Sequence, residues 1–573
     1  MKTKLLSWLL TVSLLMTMLP TAAFAADGES TETGDSTTPE TAIYLDQQHG
    51  ADDNDGLSKT TAVQTIEKAK ELANEKNIND ICLSSFYRVT GTETWDLGGK
   101  TLHRYGLGGY MIELADASAS LTLSNIVIDG AECTVDATHA AETDSIIKAA
   151  NGGTIVLNSG AILQNNKAAQ FGSGILANNR VNITMENGAI IRNNTNRNYE
   201  LGGGILIGNS STFTMNGGDL NITTYQGSDF SGNASGGWGG GMGGDGNSGK
   251  TDISAKGIKA IGLYDEAGTT WQSGGDLIVN GGTITIDSSD DSLHCGGDMQ
   301  LLGGSMTLAT ADDGVHSDHA LIIGSTGGDD DTPYVNITKS YEGIEGVDIT
   351  QNSGTVMVTS SDDGYNAAGG SDSSGNNNNG GWGQGGWGGP GGGNSSNGSQ
   401  TMTFNGGYTY VNAAGDGLDS NGNISFNGGY VFVSQTGGGN GPLDCGDSNN
   451  SITYSGGTVI AAGSSDMFET PSSYSFLSQT SVSAGQTITF TDASGNVLAT
   501  FTLPNGSAEM VMSSKESSVT CYTGGTLSGT TYFASQDDTD RCGYGGTISG
   551  GTAVSASSGG NGGWGGGGNN RPF

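Results

Sequence analysis

Hydrophobic residues recur along this chain in short alternating runs, each introduced by a glycine turn. Gly281-Gly282-Thr283-Ile284-Thr285-Ile286, Gly303-Gly304-Ser305-Met306-Thr307-Leu308, Ser353-Gly354-Thr355-Val356-Met357-Val358, Gly406-Gly407-Tyr408-Thr409-Tyr410-Val411 and Gly428-Gly429-Tyr430-Val431-Phe432-Val433 share this form. Period-two alternation over so few residues predicts short strands with one face turned inward. A second phrase keeps step with the first. It reads Lys256-Gly257-Ile258-Lys259, Asp291-Ser292-Leu293-His294, Asp313-Gly314-Val315-His316, Glu342-Gly343-Ile344-Glu345, Asp363-Gly364-Tyr365-Asn366, Asp416-Gly417-Leu418-Asp419 and Gly441-Pro442-Leu443-Asp444. Its first members are 35, 22, 29, 21, 53 and 25 residues apart, and the longest step spans a Gly/Asn/Trp-rich insert at 368–399. A base period near 22 residues with insertions is a repeat signature.

Three strands of three to five residues fit one such repeat, whereas antiparallel hairpins would not return the same turn in the same direction. The expected class is all-β, a parallel β-helix with repeats stacked at the ordinary inter-strand spacing. Ile258, Leu293, Val315, Ile344, Tyr365, Leu418 and Leu443 then form one inward column, and the glycine that precedes five of them is expected to supply an open φ at the corner. A looser set lies upstream: Ser159-Gly160-Ala161-Ile162-Leu163 returns 28 residues later as Asn187-Gly188-Ala189-Ile190-Ile191. Before it, Val63, Ile66, Ala69 and Ala73 have helical spacing, which predicts an amphipathic helix capping the open end of the core.

Composition narrows the function. The chain has 573 residues, 101 of them Gly, with Lys+Arg 21 against Asp+Glu 59 and a net charge of −38. That charge would repel nucleic acid or an anionic membrane surface. Lys2 and Lys4 precede an apolar run closing at Ala23-Phe24-Ala25, which reads as a secretory signal peptide over 1–25. No second apolar run of spanning length follows, so the expected location is extracellular, with any surface association non-covalent. The expected organisation continues with a Ser/Thr/Glu-rich linker at 26–41, an N-terminal β-helix at 42–232 and a Gly-rich loop at 233–250. A second β-helix at 251–475, a β segment at 476–535 and a Gly-rich tail at 536–573 complete it. In an exported chain Cys521 and Cys542 are candidates for a disulfide, with two free thiols the open alternative. Cys295 and Cys445 hold the same place five repeats apart, roughly 24 Å by stacking, which is too far to bridge.

The repeat also aligns acids. Asp291, Asp313, Glu342, Asp363 and Asp416 should stack in one file, with Asp290, Asp312 and Asp362 beside it and Glu345, Asp419 and Asp444 three residues on. Two carboxylates at about 4.8 Å repel by roughly 3 kcal/mol at an effective dielectric of 20. Either the side chains fan into solvent or cations sit among them, and hard oxygen ligands at flexible spacing favour Ca²⁺. Asp290, Asp291, Asp312, Asp313, Glu342, Glu345, Asp362, Asp363, Asp416 and Asp419 are the candidate ligands. His294 and His316 should stack in adjacent repeats, a weak transition-metal signal with Cys295 as the nearest soft neighbour. Trp238, Trp382 and Trp387 sit in Gly-rich stretches and are candidates for stacking on sugar faces.

The run from Lys256 to Met467 carries a resemblance. Lys339-Ser340-Tyr341-Glu342-Gly343-Ile344-Glu345-Gly346, Ser361-Asp362-Asp363-Gly364 and Gly415-Asp416-Gly417-Leu418-Asp419-Ser420-Asn421-Gly422 resemble the secreted carbohydrate-binding-domain proteins of Gram-positive anaerobes. The resemblance implies a calcium-containing, right-handed parallel β-helix related in fold to pectate lyases, binding cellulose-like and pectin-like polysaccharides. Ile43-Tyr44-Leu45-Asp46 and Asn54-Asp55-Gly56-Leu57-Ser58 are similar to the opening of many secreted β-helix proteins, and Thr487-Ile488-Thr489-Phe490 resembles the small β segment that closes the family's domain.

The leading functional expectation is a non-catalytic, calcium-dependent polysaccharide binder. The alternative is a calcium-dependent pectate-type lyase, which needs a basic side chain to remove a uronate α-proton. Lys256, Lys259 and Lys339 are the candidates, although a lysine among acids holds its proton and makes a poor base. A surface adhesin or structural solenoid is the third reading.

Overall fold

The computed structural model describes residues 41–132, 144–168, 172–196, 204–224, 227–229, 256–264, 271–368, 399–446, 450–533 and 541–557. The expected signal peptide at 1–25, most of the expected linker, the stretch 233–250, nearly all of the 368–399 insert, Cys133 and the end of the expected tail lie outside them. The described residues are almost entirely β, with one α-helix, Ile66–Glu75. No helix among them is long and apolar enough to cross a membrane.

One sheet of 37 described strands takes in most of the chain. Its strands fall into three files, and within each file neighbours pair in parallel from one repeat to the next. The first runs from Tyr87–Val89 through Ile112–Leu114, Ile147–Ala149, Ile175–Ala177 and Ile205–Ile207 to Ile258–Ala260. It continues through Leu293–Cys295, Val315–Ile323, Ile344–Gln351, Tyr365–Ala367 and Leu418–Ser420 to Leu443–Cys445. The pairing of Ile205 with Ile258 places the strands on both sides of the Gly-rich stretch in the same file. The expected inward column is present: Ile258, Leu293, Val315, Ile344, Tyr365, Leu418 and Leu443 are all fully buried, Leu293 pairing with Val315 and Val315 with Ile344.

The corner glycines work differently from the expectation. Gly257, Gly314, Gly343, Gly364 and Gly417 have no positive φ; that conformation belongs to the second glycine of the other phrase, as at Gly282 (φ 95°) and Gly304 (φ 84°). The corner position instead has no room for a side chain. A Cβ on Gly364 would strike Val411 Cγ1, and the carbonyl of Gly417 lies 2.5 Å from where it would sit.

Thr65 caps the helix, its hydroxyl accepting from the Lys68 N–H at 3.2 Å, and Ile66, Ala69, Leu72 and Ala73 join the core beside Ile43 and Ile81. The helix starts later than the apolar spacing suggests. Val63 makes a parallel bridge with Leu45 instead.

At the other end, Thr458–Gly463 stops the parallel stacking by pairing antiparallel with Glu509–Ser513. A six-stranded sheet follows, built from Thr487–Thr491, Val497–Thr502, Thr520–Thr523, Thr531–Tyr532, Cys542–Tyr544 and Thr552–Val554. Ile488, Phe490, Phe501, Met510 and Met512 pack with Met357, Tyr410, Phe432 and Ile460 on the outer face of another file, Thr355–Thr359, Tyr408–Ala413, Tyr430–Gln435 and Thr458–Gly463. Those strands are thus apolar on both faces. The C-terminal β segment extends to Val554, beyond the expected boundary at 535 and into the stretch expected to be tail, because Cys542–Tyr544 pairs between Val497–Thr502 and Thr531–Tyr532 and Thr552–Val554 forms an edge of this sheet.

The candidate disulfide is not formed. Cys521 pairs opposite Phe490, and Cys542 opposite Phe501, which puts the two thiols three strands apart, roughly 14 Å. Burial pushes the Cys521 thiol up to about 12, so its reactive thiolate is scarce at neutral pH. Cys295 and Cys445 are also unbridged, as their register requires.

The steric role of the corner makes a direct prediction. Gly364→Ala should lower unfolding free energy by about 1–3 kcal/mol through overpacking. Gly91→Ala, where a Cβ would meet nothing within 4 Å, should change it by less than about 0.5 kcal/mol. Denaturant midpoints of the two variants give the comparison.

Candidate metal centre

The first file carries its acids at the corner just before each strand, and backbone hydrogen bonds hold the corners in register. The N–H groups of Gly257, Ser292, Gly314, Gly343 and Gly364 donate to the carbonyls of Asp291, Asp313, Glu342, Asp363 and Asp416 in the following repeat. Strand alternation then turns the third residue after the acid to the same outer side as the corner. That column reads Lys259, His294, His316, Glu345, Asn366, Asp419 and Asp444, each paired with the next. The expected file exists, but it gathers into separate groups with different chemistry.

Nearest the N-terminus lie Asp290, Asp291 and Asp312, all buried, with oxygens within 4.8 Å of one another. Lys256 occupies the corner position of the preceding repeat. Its Nζ sits 2.5 Å from Asp290 Oδ1 and 2.7 Å from Asp291 Oδ2, with the whole side chain buried. The lysine considered as a lyase base is therefore the counter-ion of this pair. Lys259 is 6% exposed, in register with His294. Lys339 is exposed and donates to Ser228 O at 2.6 Å and Asp229 Oδ1 at 2.9 Å.

The second group centres on two imidazoles. The rings of His294 and His316 stack at 4.8 Å and 14°. His294 Nδ1 is 2.9 Å from Asp291 Oδ2, and His316 Nδ1 is 3.1 Å from both Asp313 Oδ2 and Glu345 Oε2. Asp318, which the repeat phrase does not include, faces both rings: Oδ1 is 3.0 Å from His316 Nε2 and Oδ2 is 3.8 Å from His294 Nε2. Its spacing of two from His316 on one strand is the signal that would have found it. Burial, then the charge of Lys256, keeps His294 below the ordinary imidazole range. Burial also opposes charge on His316, but Glu345 and hydrogen bonds with Asp313 and Asp318 outweigh it and raise that ring well above the ordinary value. Cys295, one residue from His294, points the other way into the core and donates to Gly275 O at 3.2 Å, so no thiolate joins the group.

The third group is Asp363, Asp416 and Asp419, half-buried, with ligand oxygens again within 4.8 Å. The Asp416 N–H donates to Asp363 Oδ1 at 2.6 Å, and the Gly441 N–H to Asp416 Oδ1 at 2.5 Å. Burial, then the charges of Asp419, Asp362 and Asp416, raises Asp363 well above the usual carboxylate range. Burial lifts Asp416 to about 6, and burial with the charges of Asp416 and Asp444 lifts Asp419 to about 7. Glu342 and Asp362 belong to none of these groups; Glu342 Oε2 accepts from Asn366 at 3.1 Å. Of the ten candidate ligands, eight are thus gathered by the fold into groups whose ligand atoms lie within 4.8 Å of one another, although Lys256 already occupies the Asp290/Asp291 pair. Trp238, Trp382 and Trp387 lie outside the described residues. Trp271, not singled out by the sequence, stacks on His319 at 3.8 Å and donates to Gly296 O at 2.6 Å.

No family model, curated protein or solved structure matches the chain.

Two predictions follow from these environments. Lys256→Met leaves Asp290 and Asp291 buried without their cation and should destabilise the protein by about 3–5 kcal/mol, read from urea unfolding at neutral pH. The third group sets a pH dependence. The folded state holds the Asp416 and Asp419 protons more tightly than an unfolded chain titrating near 3.8. Their contribution is therefore fully present at low pH and lost as pH rises from about 4 to about 7. In chelator-treated protein Asp419→Asn should flatten that fall in the unfolding midpoint.

Proposed function

We propose that the chain is a secreted, non-catalytic polysaccharide-binding protein whose acidic corner holds Ca²⁺ and presents it to cellulose-like or pectin-like glycans. The three files recur in the same cyclic order in every repeat, which supports their closure into a parallel β-helix. The handedness rule for parallel crossovers supports a right-handed one.

The observation that carries the metal reading is the cluster of Asp363, Asp416 and Asp419. These are hard oxygen donors from two consecutive repeats, close enough to share one ion. Their raised pKa values express first the cost of burying their charges, and at Asp363 and Asp419 also the cost of ionising them beside other carboxylates. Lys256 meets that cost for Asp290 and Asp291, and a divalent cation at the third group would meet it in the same way. When bound, Ca²⁺ supplies positive charge and open coordination positions that accept sugar hydroxyls or uronate carboxylates. This reconciles an acidic polymer with a chain of net charge −38.

The residues also favour binding over elimination. Lys256 is buried between two carboxylates, Lys259 is buried, and Lys339 is bound to Asp229 and Ser228. None of the three is placed to take a proton from a bound polymer.

Retention on insoluble cellulose and polygalacturonate should be high with CaCl₂ and lost with chelator, and Asp416→Asn/Asp419→Asn should fail to be retained. Equal absence of retention in both conditions would leave an adhesin or structural solenoid. Unsaturated products from polygalacturonate would establish a lyase.

A further inference from the structure

The group around His316 differs from the calcium cluster in kind. One imidazole nitrogen faces two carboxylates at the same distance: His316 Nδ1 lies 3.1 Å from Asp313 Oδ2 and 3.1 Å from Glu345 Oε2. A single N–H can only be divided between the two oxygens as a weaker three-centre bond, whereas a metal ion bound by Nδ1 can be shared fully with both. The other ring nitrogen is engaged by Asp318 Oδ1 at 3.0 Å. A carboxylate on one imidazole nitrogen fixes the ring's orientation and leaves the opposite lone pair for metal, the usual arrangement behind a metal-ligating histidine. Asp313 and His316 are almost completely buried, so these groups are held in place and not fanned into solvent.

The neighbouring repeat shows why the site falls here. His294 and Asp291 repeat the pattern of His316 and Asp313, but Lys256 Nζ already lies 2.7 Å from Asp291 Oδ2. An ammonium group therefore stands where a metal would bind in the earlier repeat. At the next repeat no lysine occupies the equivalent corner, which is Asp291 itself, and Glu345 adds a second carboxylate.

We propose that Asp313, His316 and Glu345 form a second metal site, selective for a borderline divalent transition cation of the Zn²⁺ type over Ca²⁺. Asp318 is its positioning carboxylate, and Lys256 closes the adjacent Asp290/Asp291 pair to metal. Ca²⁺ takes oxygen ligands, whereas Zn²⁺ accepts mixed imidazole and carboxylate sets and tolerates three protein ligands with an open fourth position.

The test uses the full chain, stripped with chelator and then saturated with CaCl₂ before titration with ZnCl₂. A single equivalent of zinc should survive gel filtration and raise the melting temperature above that of the calcium form. His316→Gln and Glu345→Gln should lose that equivalent while keeping the calcium-induced shift. Asp318→Asn should weaken zinc about 10- to 100-fold. Lys256→Met should admit a second equivalent. No zinc retained by the calcium-saturated wild type, or undiminished affinity in both His316→Gln and Glu345→Gln, would overturn the proposal. If those variants do not fold, wild-type protein loaded with Cu²⁺ decides: imidazole-nitrogen couplings in its electron-spin-echo spectrum support the site, and their absence overturns it. Calcium shift and glycan retention are read separately, so failure here is distinguishable from failure of the calcium-dependent binding reading.

Discussion

Everything in this chain depends on parallel stacking in register. When each strand pairs with its equivalent in the next repeat, like residues lie about 4.8 Å above like residues along the whole file. For an apolar column this is stabilising, and Leu293, Val315, Ile344 and Tyr365 succeed one another without exposure. For a charged column the same geometry is a burden, because every repeated acid meets another. The fold gains its core and its electrostatic problem from one constraint.

That problem is met by different means along one rank. At Asp290 and Asp291 a covalently attached cation, Lys256, is within 2.7 Å of both carboxylates. One repeat on, imidazole rings stand among the acids, with Asp318 facing both. Further along, Asp363, Asp416 and Asp419 have no lysine or histidine in their register positions, and their protons are held up to about pH 7 at Asp419. A gradient from built-in cation to open carboxylates follows the order of the repeats. It places groups of different chemistry, ammonium, imidazole and carboxylate, on one architecture without changing its backbone.

Much of the fold is legible before any coordinates. The recurrence of Asp-Gly-Xaa and Gly-Gly-Xaa phrases gives the period, the inward column, the stacking of His294 on His316 and the separation of Cys295 from Cys445. These are all consequences of register, and register is periodic in sequence. Less legible are features set by contacts across the period. The corner glycines are needed for space beneath Val411 and its equivalents, not for φ, and only the facing strand reveals this. Val63 belongs to the apolar helical pattern but is taken by Leu45 in a bridge. Asp318 lies outside every phrase because it sits where the register shifts within the long strand Val315–Ile323, between the stretch that pairs as the first file and the stretch that follows it.

The sequence alone determined the repeat, its alternation and the alignment of acids, because these depend only on spacing along the chain. Tertiary structure decided which acids share a site, which lysine neutralises them, and that Cys521 and Cys542 lie on separated strands of the closing sheet. Those outcomes depend on side-chain direction and strand order, and neither is written in the distance between two residues along a polymer.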